Sequence, residues 1–74
     1  MKGAEFLRKL RFLAKMRGVP LSFNRKHGKG SHGTLYYGER RTTLKDLKKE
    51  IGKGLLHAML GDLGLNKDEF DAGK

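Results

Sequence analysis

The sequence predicts an α+β domain in which a helix, three antiparallel strands and a second helix follow one another, with both helices packed on one face of the sheet. Two observations carry this reading. Apolar residues recur at helical spacing near both ends of the chain, over 3–17 and 53–63. Between them, short runs alternate apolar and polar residues and are punctuated by glycine, the mark of half-buried strands. At 74 residues the chain is long enough for one domain.

In the first helix, "GAEFLRKLRFLAKMR", Phe6, Leu7, Leu10, Leu13 and Ala14 form one stripe, and Arg8, Lys9, Arg11 and Lys15 lie outside it. Phe12 and Met16 make a second apolar edge, open to two readings: core against another element, which is the expectation, or a partner-binding face. Gly18 suits the helix stop, and Pro20 blocks continuation.

Three strands are expected next. In "VPLSFNR", Val19, Leu21 and Phe23 alternate with Ser22 and Asn24. Pro20 puts this run at a strand start or a sheet edge. "HGTLYYG" sets Leu35 and Tyr37 opposite Thr34 and Tyr36, Gly38-Glu39 is a tight-turn candidate, and "RRTTL" is a third, β-branched strand. In the second helix, "KGLLHAMLGDL", the apolar face is Leu55, Leu56, Met59, Leu60 and Leu63. Gly64 followed by Leu65 fits a Schellman stop. Residues 1–65 therefore read as one domain, and 66–74 as a polar, flexible C-terminal tail.

With no cysteine, disulfide frameworks and thiolate metal sites are excluded. No continuous apolar stretch approaches the roughly 20 residues of a membrane span, and "MKGAEFLRKL" lacks the apolar core of a signal peptide. Cytoplasmic residence without membrane association is the expectation. The net charge of +9 is unevenly placed: residues 1–45 carry +10 and residues 46–74 carry −1. A positive field of this kind attracts polyanions, nucleic acid above all.

Two stretches suit a phosphate. "RKHGKGSHG" interleaves Arg25, Lys26 and Lys29 with glycines that let a backbone approach closely; its plain alternative is a hairpin connection with solvated charges. "KKEIGKG" brings Lys48, Lys49 and Lys53 to the start of the second helix, where unpaired N–H groups face outward. Arg40 and Arg41 on the third strand complete the RNA-binding set. Of the histidines, His57 lies off the apolar stripe, whereas His27 and His32 flank the lysine loop. A histidine there could take the 2′-OH proton of RNA, with nearby cations stabilising the phosphoryl oxygens. Tyr36 and Tyr37 could stack on bases or assist proton transfer. No metal-ligand set, P-loop or nucleophile elbow is present.

The element order is that of a double-stranded-RNA-binding-domain-like fold. Further, "KGSH" at 29–32, the basic "ERRTTL" strand and "KKEIGKGLLHAMLGDLGL" at 48–65 together resemble the HicA-type toxins of type II toxin–antitoxin pairs, over residues 5–65. Those are small messenger-RNA interferases. The resemblance implies that His32 is catalytic, that messenger RNA is bound through its phosphate backbone, that no metal or other cofactor is used, and that a cognate HicB-type antitoxin covers this face. In two respects the sequence departs from the family: the connector between Gly18 and Gly30 is longer, and "TTLKDLKK" lacks the Pro-x-His found in many members. A second proton-transfer group would then be His27, or a lysine or tyrosine, with Tyr36 the tyrosine candidate. The rival functions are a non-catalytic RNA-binding module of the same fold and a basic adaptor that docks an acidic partner.

Overall fold

A computed structural model describes residues 1–25 and 33–72. The element order is α1 (Gly3–Arg17), β1 (Leu21–Arg25), β2 (Gly33–Tyr37), β3 (Arg40–Leu44), α2 (Lys53–Asp62) and α3 (Lys67–Ala72). The strands form one open antiparallel sheet in the order β1-β2-β3.

Helix α1 spans the expected residues, and its whole predicted stripe is buried: Phe6, Leu7, Leu10, Leu13 and Ala14. It stops because Gly18 adopts a left-handed conformation, φ +67°. The N–H of Gly18 then donates to Lys15 O and that of Val19 to Ala14 O, a Schellman pair. At the other end no side chain caps α1. Instead the N–H of Gly3 donates to Lys49 O at 3.1 Å and that of Ala4 to Leu47 O at 2.9 Å. The approach is close enough that a Cβ at Gly3 would lie 2.9 Å from both Asp46 O and Leu47 Cα. The segment after β3 is thereby tied to the start of α1.

Strand register sorts the side chains by face. Leu21, Tyr37 and Arg40 are neighbours, then Phe23, Leu35 and Thr42, then Arg25, Gly33 and Leu44. Leu35, Tyr37, Thr42 and Leu44 of these rows are buried against the helices. The other face carries Ser22, Tyr36 and Arg41 in one row and Asn24, Thr34 and Thr43 in the next. It is polar and uncovered. The Gly38-Glu39 turn has positive φ at Gly38 alone, the pattern of a type II′ hairpin.

Helix α2 ends in a second Schellman pair: Gly64 N–H to Gly61 O and Leu65 N–H to Leu60 O, with Gly64 at φ +73°. Leu56, Met59, Leu60 and Leu63 are buried as expected. Leu55 is not; it is 44% exposed.

Two further expectations are corrected. Phe12 and Met16 are not core, being 46% and 64% exposed. At 100° per residue, Phe12 lies about 160° round α1 from the centre of the buried stripe, so no packing within this domain could cover it. The segment read as a flexible tail contains α3, which starts from a capping box: Glu69 N–H donates to Asn66 Oδ1 at 2.8 Å, and Asn66 N–H to Glu69 Oε1 at 2.9 Å. The reward for ordering it is Phe70, fully buried between the helices.

Candidate nucleic-acid interface

The register divides the candidate residues into groups. Gly33, the residue after His32, pairs with Leu44, and Arg25 pairs with Gly33. From Leu44 the chain runs directly into the segment holding Lys45, Lys48, Lys49 and Lys53. Hence Arg25 and Gly33, which flank the first basic stretch, and Leu44, which leads into the second, lie together at one end of the sheet, although Gly33 and Lys45 are 12 residues apart in sequence. His27, His32, Lys26 and Lys29 lie outside the described residues, and Arg25 is placed by its backbone pairing with Gly33.

The 45–53 segment is held by backbone bonds and leaves its cations outward. Lys48 N–H donates to Asp46 Oδ1 at 2.9 Å, forming an Asx turn that occupies the acidic residue. Lys49 N–H donates to Asp46 O, and Ile51 N–H to Met1 O. Ile51 is buried, while Lys48, Lys49 and Lys53 are exposed. Helix α2 begins at Lys53 behind Gly52, with no side-chain cap and no acidic residue in its first turn. Its positive end is therefore not neutralised by a side chain of its own. A depression of about 310 Å³ lies here, between Leu44, Lys49, Leu55 and Met59.

Arg40 and Arg41 lie on opposite faces of the sheet. Adjacent strand residues point to opposite faces. Arg40 lies at the far end of β3 and packs over the end of α2; a Cβ at Gly64 would lie 2.9 Å from its Nε. A cation at a helix C-terminus favours the helix, which gives Arg40 a structural task. Arg41 belongs to the open face, with Tyr36 directly across from it. Tyr36, Arg41, Thr34, Thr43, Thr42 and Asp62 line a groove of about 300 Å³ along the β3 edge. The Thr42 hydroxyl donates to Asp62 Oδ2 at 2.8 Å, tying β3 to the last turn of α2 and placing the one carboxylate of this groove. Sequence reasoning did not find Asp62; the 20-residue separation from Thr42 gives no local signal. Tyr36 is three residues along β2 from Gly33, roughly 10 Å by strand rise. Tyr37 is turned into the core, as strand alternation requires.

Other cations of α1 are engaged elsewhere. Arg17 Nη2 donates to Glu69 Oε2 at 3.1 Å, and Lys9 Nζ to Asp71 Oδ1 at 3.4 Å. The Tyr37 hydroxyl beside the guanidinium, and then Glu69, hold the Arg17 pKa above its ordinary value. His57 is exposed on α2, as expected. Among the described residues there is no group of three or more side chains able to hold a metal, and no helix long and apolar enough to cross a membrane.

No protein-family model matches the chain, and no curated protein or solved structure shows significant similarity to it.

The arrangement offers polyanion contacts on two sides. One end of the sheet gathers backbone N–H groups and lysines from the start of α2 beside the strand that follows His32. The open face offers an aromatic ring, an arginine and a row of hydroxyl and amide groups.

Proposed function

We propose that this chain is a metal-independent endoribonuclease of the HicA toxin type, with a double-stranded-RNA-binding-domain-like fold, acting on messenger RNA. The observation that carries the reading is the Gly33–Leu44 pairing, which sets the residue after His32 beside the origin of the Lys45–Lys53 segment. A histidine next to a cationic, outward-facing N–H cluster is the combination that RNA transesterification needs.

In this mechanism His32 takes the 2′-OH proton. The 2′ oxygen then attacks the adjacent phosphorus, a P–O bond to the 5′ oxygen breaks, and the departing oxygen receives a proton from a second group. Lys48, Lys49 and Lys53, with Lys26 and Lys29, stabilise the charge on the phosphoryl oxygens. The second proton-transfer group is His27 or Tyr36. Arg41 and Tyr36 on the open face guide the strand, and Arg40 supports α2. A cognate HicB-type antitoxin would block access to this end of the sheet. The cell compartment in this reading is the cytoplasm.

The test is cleavage of a messenger RNA in EDTA by the wild type, His32→Ala and His27→Ala. The wild type should cleave, and His32→Ala should lose at least about two orders of magnitude in rate, the usual share of one acid–base group. Cleavage that survives His32→Ala unchanged would overturn the assignment. Salt-sensitive RNA binding by the wild type with no cleavage would instead make the chain a non-catalytic RNA-binding module.

A further inference from the structure

The outer face of α1 presents an apolar pair flanked on one side by cations that have no partner among the described residues. Phe12 and Met16 stand one helical turn apart and are 46% and 64% exposed. Arg8 precedes Phe12 by one turn, so the three form a single i, i+4 ridge. Arg8 and Phe12 straddle the point opposite the buried stripe. Of the basic residues on α1, Lys9 and Arg17 are paired with Asp71 and Glu69 on α3. Arg8, Arg11 and Lys15 are exposed and make no ion pair among the described residues. A depression of about 510 Å³ runs beside Phe12, between Glu5, Arg8 and Lys9.

We infer that this face of α1 docks an acidic amphipathic helix of a partner protein. A ridge spaced i, i+4 fits the groove between the ridges of a second helix. Phe12 and Met16 would supply the desolvated centre, since aromatic residues and methionine are enriched there. Arg8, Arg11 and Lys15 would meet carboxylates at the rim and steer the encounter. The chemistry disfavours the two other polyanions. An anionic membrane requires a broad apolar face, and the broad face of α1 is consumed by the core. A phosphate backbone needs the cations but leaves Phe12 without a partner at the centre of the patch. The inference does not depend on the ribonuclease reading.

The test is selection from a display library of helical peptides with randomised surface positions, panned on the full chain. Enriched peptides should carry Asp or Glu around apolar residues spaced i, i+4. Their affinity should fall about tenfold or more for Phe12→Ser and for the double variant Arg8→Glu/Lys15→Glu, as for a central interface residue. Both variants alter exposed side chains; circular dichroism and melting should show the fold retained, and RNA cleavage by Phe12→Ser should be unchanged. No enrichment over the double variant, or enriched peptides that bind Phe12→Ser equally well, overturns the proposal. So does loss of binding to a single-stranded RNA or to phosphatidylglycerol vesicles in Phe12→Ser, which would assign the face to that ligand.

Discussion

The Phe70 ring lies 5.1 Å from the Phe6 ring, centroid to centroid, tilted by 31°, and both side chains are fully buried. Lys9 Nζ sits 5.1 Å above the same Phe70 ring. One residue near the C-terminus therefore closes the core against α1 and carries a cation on its outer side. Phe70→Ala should destabilise the fold by about 3–5 kcal/mol, the range for a buried Phe. Native stabilities of roughly 0.05–0.15 kcal/mol per residue make that a large share of the total for a domain this small. Urea unfolding followed by far-UV circular dichroism checks it; a change under 1 kcal/mol would mean that α3 does not close the core.

The contact of α3 with α1 should weaken in acid. The Glu69 pKa is lowered by the Asn66 backbone N–H and then by Arg17. That of Asp71 is lowered by Lys67 and then by Lys9. With folded values below the unfolded ones, both groups contribute stability above the ordinary carboxylate range, near pH 4. That contribution is lost as pH falls from there through the lowered folded values. Melting temperature should therefore decline below about pH 4, and Glu69→Gln should flatten the decline. An acid limb identical in Glu69→Gln and the wild type would refute the coupling.

Two glycines should respond oppositely to alanine. Gly3→Ala forces a Cβ to within 2.9 Å of backbone atoms of Asp46 and Leu47, which cannot move aside as a side-chain tip could. A loss of about 1–3 kcal/mol is expected, as for overpacking. Gly61 is a helical residue with open space where a Cβ would be. Gly61→Ala should raise stability by about 0.5–1 kcal/mol through helix propensity. Parallel urea titrations give both signs.

Arg40 and Arg41 should separate in a binding assay. Arg41→Ala should weaken RNA binding and reduce the slope of log affinity against log salt by about one counterion. Arg40→Ala should leave that slope unchanged and lower stability by about 0.5 kcal/mol through lost support of the α2 C-terminus. Equal slopes for the two variants would place both side chains on the same face.

Thr42→Val removes the hydroxyl that reaches Asp62 while keeping the shape of a β-branched residue. A loss of about 1 kcal/mol is expected, the usual worth of one hydrogen bond. If Asp62→Ala in the Thr42→Val background costs as much as it does in the wild type, the two residues are not coupled.

Much of this architecture was legible in the residues, since helix stops, turns and strand alternation depend on neighbours within a few positions. Gly18 and Gly64 marked both Schellman stops, Gly38 marked the hairpin, and the α1 stripe gave its buried face. The signal for α3 was also present: Asn66 and Glu69 have capping-box spacing, with Leu65 and Phe70 as flanking apolar residues. A polar composition hid it, and a six-residue helix has too few turns to show a periodic pattern.

By itself the sequence determined the order of the first five elements, where they stop and the apolar side of β1 and β2, because local backbone energetics set these. Tertiary structure alone decided which apolar residues found partners. Phe70 is buried because α1 offers Phe6 at the right place; Phe12 stays exposed because it lies opposite the buried stripe of α1. It also decided the composition of the candidate site. Gly33 meets Leu44, and Thr42 meets Asp62, only through strand pairing and helix docking, and hydrophobic burial selects that register by turning every strand residue to its proper face.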